Sequence, residues 1–191
     1  MKDDLTRYLQ QGREALLWKL DGTSEYDARR PMVPTGTNLL GLVKHVASVE
    51  AGYFGDVFGR PYPEALPWIE DDAEPNADMW ATVDESRESI IDLYRRVWAH
   101  SDRTIGLLDL DSMGVVPWWP AERRNVTLDR VLVHVIAETH RHAGHADIVR
   151  ELIDGSVGRY SSDNPDYPFD WEAHRARLEQ AARDAGNRRV E

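Results

Sequence analysis

Glu138, His142 and His45 are the residues of this sequence whose types and placement could do chemistry. The stretch from Leu128 to Gly155 reads LDRVLVHVIAETHRHAGHADIVRELIDG. At about 100° per residue, Glu138 and His142 differ by only about 40° around a helix and lie one turn apart. E-x-x-x-H therefore sends a carboxylate and an imidazole into the same space. Stepping by alternating threes and fours gives Leu128, Val131, Val135, Glu138, His142, His145, Val149 and Leu152, a core stripe with a polar middle. Burying such groups without partners is costly, and a metal ion is the simplest compensation. His45, in the middle of an earlier helical stretch, is the obvious third ligand, because helix bundles build metal sites from inward pairs plus a residue of a facing helix. Two His and one Glu suit zinc, or another divalent first-row metal such as Ni, Mn or Fe. Three protein ligands leave positions open, which is the catalytic pattern. The competing reading is a Glu–His ion pair in a polar core; three ligand-type residues at matching depth favour the metal.

The other histidines take lesser parts. His134 and His145 lie near the same face; they could be alternative ligands, but the preferred reading makes them catalytic or pocket-lining groups. His140 is expected to point away into solvent. His100 and His174 have no constellation around them.

The elements that must position these residues are helical. Thr127 is a good N-cap and Gly155 a good C-cap for one long helix, near 127–154. Leu5, Leu9, Gly12, Leu16 and Leu20 mark the buried face of a first helix near 3–20, opened by Asp3 or Asp4. Residues 23–36, with two prolines, read as a loop. Thr37 or Asn38 caps a second helix, near 37–59, whose apolar face carries Leu39, Leu42, Val46, Val49 and Tyr53. Residues 60–80 form a loop with a solvated acidic patch, Glu70-Asp71-Asp72. Thr82 and Glu85 make a capping box for a third helix, near 82–110. Residues 111–126 hold the aromatic turn Pro117-Trp118-Trp119-Pro120. After Gly155 an irregular crossing leads to a short amphipathic helix, near 171–185. The expected fold is all-α, a four-helix bundle with long connections forming a single domain over residues 1–191.

Composition narrows the function. The chain has 191 residues, 41% of them hydrophobic, enough for one sizeable core. A formal net charge of −11 and no basic run argue against nucleic acid and against anionic membrane surfaces. No apolar run approaches the ~20 residues that span a bilayer. The N-terminus MKDDLTRYLQ is no signal peptide, so a cytoplasmic location is expected. With no cysteine, disulfides and thiolate metal sites are excluded, and any thiol chemistry needs a thiol cosubstrate.

The chain resembles the DinB-like superfamily of metal-binding four-helix bundles over about residues 5–170. L-V-K-H around His45 and E-T-H-R-H-A-G-H-A-D-I-V-R-E-L-I-D-G on the last long helix carry the likeness. Many members have H-x-x-x-H there. Glu138 in place of the first His is similar to the branch that contains the metal-binding domain of mycothiol-dependent maleylpyruvate isomerase and mycothiol S-transferases. In that branch the matching residues, His45, Glu138 and His142, would hold a divalent metal. The resemblance also implies transfer of a low-molecular-weight thiol such as mycothiol or bacillithiol. A bound cation lowers a thiol's pKa and holds the nucleophilic thiolate. The isomerase has a further C-terminal domain, and this chain ends at Glu191, so thiol transfer rather than isomerisation is expected.

Three functions compete: a metal-dependent thiol S-transferase, a metal-dependent hydrolase in which the metal activates water, and a non-catalytic bundle that binds metal or a small ligand. The first leads. Trp68, Trp80, Trp118 and Trp119 could wall an apolar pocket for the electrophile, and Arg123 and Arg124 could meet a carboxylate on the thiol, although surface solvation is their commoner role. The expected partners are a small-molecule thiol, an electrophile and a second copy of the chain in a homodimer, with no nucleic acid and no membrane.

Overall fold

A computed structural model describes residues 1–163 and 169–187. Four long helices form the all-α bundle: α1 (Lys2–Trp18), α3 (Leu39–Phe54), α4 (Arg87–Leu107) and α5 (Leu128–Asp154). The α3 helix is central, packed against α4 on one side and α5 on the other, while α5 also packs on α1. Its sequence explains the position. All but two of its residues are buried, and the apolar runs on all sides of it leave no solvent face. Leu39, Leu40, Leu42, Val43, Val46 and Ala47 form one end of the core with Leu16, Leu20, Tyr94 and Val149. Tyr53, Phe54 and Val57 continue it with Leu9, Ile105, Leu128, Val131 and Val135. No helix among the described residues is long and apolar enough to cross a membrane.

Several expected boundaries move, each for a local reason. A short α2 (Glu25–Arg29) interrupts the loop predicted at 23–36, because the Ser24 side chain accepts the Asp27 N–H at 3.0 Å and caps it. Asn38 caps α3 by accepting the Gly41 N–H at 2.8 Å. The helix stops at Phe54 and passes through a 3₁₀ turn (Asp56–Phe58) to Gly59, rather than running on as one helix. The Thr82–Glu85 pair forms, with Glu85 accepting the Thr82 N–H at 2.7 Å, but it opens no helix. The same carboxylate pairs with Lys44 of α3 at 2.8 Å, which ties the segment down, and α4 starts later, with Ser86 as its cap. Residues 111–126 contain an unexpected hairpin, β1 (Met113–Val115) antiparallel to β2 (Asn125–Thr127), with Gly114 opposite Val126. Three-residue strands are too short to show an alternating pattern.

The long helix α5 matches its expected span, and Gly155 ends it in the left-handed conformation, φ 78°. Thr127 makes no capping bond to the backbone; its hydroxyl donates to Asp129. The expected stripe holds from Leu128 through His142, then drifts. His145 and Leu152 are exposed, and Ala146, Val149 and Arg150 face inward. A strict seven-residue repeat slips about 20° per heptad around a straight helix. His140 is half-buried rather than exposed, and its Nε2 lies 3.0 Å from the Tyr8 carbonyl of α1. The last helix, α6 (Trp171–Asn187), buries none of its residues. Residues 164–168 of the irregular crossing lie outside the described residues.

Candidate metal centre

Each of the three candidate ligands stands on a rigid, packed helix. His45 is held by α3, whose neighbours Lys44 and Val46 are buried, and Glu138 and His142 sit one turn apart on α5. One ligand atom from each of His45, Glu138 and His142 lies within 4.8 Å of the others. The two imidazole rings meet edge to face with centroids 4.6 Å apart. Glu138 Oε1 is 3.8 Å from His142 Nε2, too far for a hydrogen bond. The groups thus converge without satisfying one another. His142 is buried, and its Nδ1 has no hydrogen-bond partner. Burial, followed by the neighbouring His45 ring, lowers the His142 pKa to about 4, so the imidazole is neutral at pH 7. Two imidazoles and one carboxylate are a donor set that can hold a divalent cation.

Asp78 was not singled out in the sequence. It sits in a 3₁₀ turn (Ala77–Met79), and its Oδ2 lies 2.6 Å from His45 Nδ1. That hydrogen bond holds the Asp78 carboxyl below the ordinary carboxylate range, against the opposing effect of burial. The carboxylate therefore accepts, and Nδ1 carries the hydrogen. No sequence signal marks the pairing, because it spans thirty-three residues and a loop.

His134 lies one turn before Glu138, with its ring 4.6 Å from Tyr53 and 5.3 Å from Trp119. Burial lowers its pKa. The His145 ring lies 5.3 Å from that of His142 but on the exposed side. Tyr53 Oη accepts from Trp119 Nε1 at 3.0 Å, which fixes the aromatic wall.

A cavity of about 420 Å³ reaches Asp78, the hydrogen-bond partner of His45, although none of the three candidate ligands lines it. Val49, Tyr53, Ile69 and Trp118 give it apolar faces, and Asp71 and Asp78 line it as well. Of the four tryptophans expected to wall a pocket, Trp118 does so. Trp119 backs Tyr53, Trp68 donates to Ser48 Oγ at 2.8 Å, and Trp80 is partly exposed and does not line the cavity. Arg123 and Arg124 are exposed and do not line the cavity. The acidic patch at 70–72 is exposed as expected, yet Asp71 reaches the cavity rim. A larger cleft, of about 680 Å³, lies between the end of α5 and α6, and none of the three candidate ligands lines it.

Residues 4–155 match the family described as mycothiol-S-transferase, which spans α1 through α5 and every candidate ligand. The chain belongs to that family. No curated protein matches the sequence. Among solved structures it is similar to one described as the conserved protein of locus from Enterococcus faecalis. The two share 16% identity and a TM-score of 0.59, over 82% of this chain and 98% of the other, a likeness of fold. Membership gives the convergent histidines and glutamate a context: a DinB-like bundle with a potential His/Glu metal cluster at its centre.

Proposed function

We propose that this family member is a divalent-metal-dependent thiol S-transferase, with zinc the best match to a two-His, one-Glu donor set. The convergence of His45, Glu138 and His142 beside a cavity, in a chain of the mycothiol-S-transferase family, carries the reading. The family implies a low-molecular-weight thiol, mycothiol first, and a small electrophile as substrates. When bound, the metal supplies positive charge that lowers the thiol's pKa and favours the thiolate.

The chain's own residues do the rest. Burial keeps His142 neutral, with a lone pair to offer. Glu138 brings a single negative charge, so a dication there keeps net positive charge for an incoming anion. Asp78 Oδ2 lies 2.6 Å from His45 Nδ1. Val49, Tyr53, Ile69 and Trp118 offer apolar contact to the body of the electrophile. His134, which burial keeps neutral and which stands against the cavity residue Tyr53, is the better placed of the two catalytic candidates to accept the thiol proton; His145 is open to solvent. A cytoplasmic location, where small thiols stay reduced, belongs to this proposal. So does a homodimer, for which exposed Ile148 and Leu152 on α5 offer apolar surface and which sedimentation equilibrium reads.

The test is a conjugation assay with metal-loaded protein, a chromogenic electrophile, and mycothiol, bacillithiol or glutathione. Acceleration by mycothiol that Glu138→Ala removes supports the proposal. If no thiol reacts above background, the transferase reading fails and a non-catalytic metal-binding bundle replaces it; metal-dependent ester cleavage without thiol would point to a hydrolase.

A further inference from the structure

We propose that Asp78 is the positioning residue of the metal centre, held against His45 by a strap that α3 itself fastens down. The inference rests on the metal reading of His45, Glu138 and His142. Asp78 is not among the donors that converge; its Oδ2 meets His45 at Nδ1, 2.6 Å away, which leaves Nε2 as the nitrogen free to serve the cluster. A carboxylate in that place fixes which imidazole nitrogen carries the hydrogen and how the ring is turned, leaving Nε2 as an unprotonated donor.

A loop carboxylate can do this only if the loop is held, and here it is held on both sides of Asp78. Lys44, buried and one residue before the ligand, donates to the Ala77 carbonyl and to the Trp80 carbonyl, each at 3.0 Å, and pairs with Glu85 at 2.8 Å. Asn38 donates to the Met79 carbonyl at 3.2 Å. Gly41 lets the strap come this close: a Cβ there would stand 1.8 Å from the Met79 oxygen. Asn38, Gly41, Lys44 and His45 lie within two turns of α3, so the ligand and the anchors of its partner share one rigid element. The arrangement explains why a lysine is buried beside a histidine on α3. Its three carbonyl and carboxylate partners satisfy the ammonium, and their effect is to place Asp78.

Zinc affinity, read by chelator competition, and the visible spectrum of the cobalt-substituted protein test the proposal. Asp78→Ala should lower affinity by about 10–100-fold and alter the cobalt spectrum. Asp78→Asn, which keeps an acceptor but not the charge, should lose less. Gly41→Ala leaves every ligand in place and should also weaken binding, because it displaces the strap. A readout without metal is the ring ¹⁵N spectrum of the apo protein. In the wild type His45 should carry its hydrogen on Nδ1, and in Asp78→Ala it should not. Wild-type affinity and an unchanged cobalt spectrum in Asp78→Ala overturn the proposal alone, as does an Nε2–H tautomer in the wild type. A wild-type chain that takes up no zinc overturns the metal reading and this inference with it.

Discussion

Two buried polar clusters share α3, and they differ in how completely their atoms are satisfied. Glu50 faces α1, where Arg13 meets it with Nη2 at 2.5 Å and Nε at 3.2 Å. The remaining nitrogen, Nη1, donates to Asp102 at 2.9 Å and to Gln10 at 3.1 Å. Burial alone would weaken the Arg13 cation, but the two carboxylates more than offset it and hold its pKa above the ordinary arginine value. Five residues earlier and about 140° around the helix, His45 faces Glu138 and His142. There no pair is within hydrogen-bonding distance, and His142 keeps a buried nitrogen with no partner. Burial by itself therefore does not mark a functional site, since the Arg13–Glu50 pair is the more deeply buried of the two. What marks one is a set of donors brought together and left open.

The comparison can be broken at either cluster. The largest expected effect is His142→Ala, which should reduce bound metal from one ion per chain to none by elemental analysis. Unchanged stoichiometry would place the ion elsewhere. Next, Arg13→Ala leaves Glu50 buried without a cation and should cost about 3–5 kcal/mol of stability in denaturant unfolding. The double replacement Arg13→Met with Glu50→Leu should recover most of that, as closed pairs often exchange for apolar ones at little cost. Neither change should alter zinc affinity at folded concentrations; if both do, the clusters are coupled through α3. A smaller effect is metal removal. At a hundredfold excess over Kd, zinc should stabilise the wild type by about 2.7 kcal/mol and leave His142→Ala unmoved in a thermal melt.

The smallest effect belongs to His134. Its folded pKa lies below the ordinary 6.5, with burial the main cause. The unfolded chain therefore takes up a proton that the folded chain resists, and stability is lost as the pH falls below about 6.5. His134→Phe keeps the ring against Tyr53 and should flatten that part of the apo protein's stability–pH curve. An unchanged slope would mean that His134 is open to protons in the folded state.

Helix periodicity and caps determined the bundle, because 3.6-residue spacing is a property of neighbouring residues. Asn38 and Gly155 sit where local rules put them, and α5 runs nearly residue for residue as expected. Glu138 and His142 were legible for the same reason: their closeness is written in a spacing of four. His45 was legible because it shares their depth on a facing helix. Short elements were not. The hairpin β1–β2 and α2 are too brief for a periodic signal, and the carboxylate expected to open α4, Glu85, is instead paired with Lys44, a residue some forty positions away. The partners of the buried charges were equally invisible. Arg13 finds Glu50, and Asp78 finds His45, only because the helices and the strap are folded against one another. Sequence spacing fixes which side chains share a helix face, but hydrogen bonds between distant segments depend on where packing brings those faces. The ligand set could therefore be read from the chain, whereas the carboxylate that orients it became visible only in three dimensions.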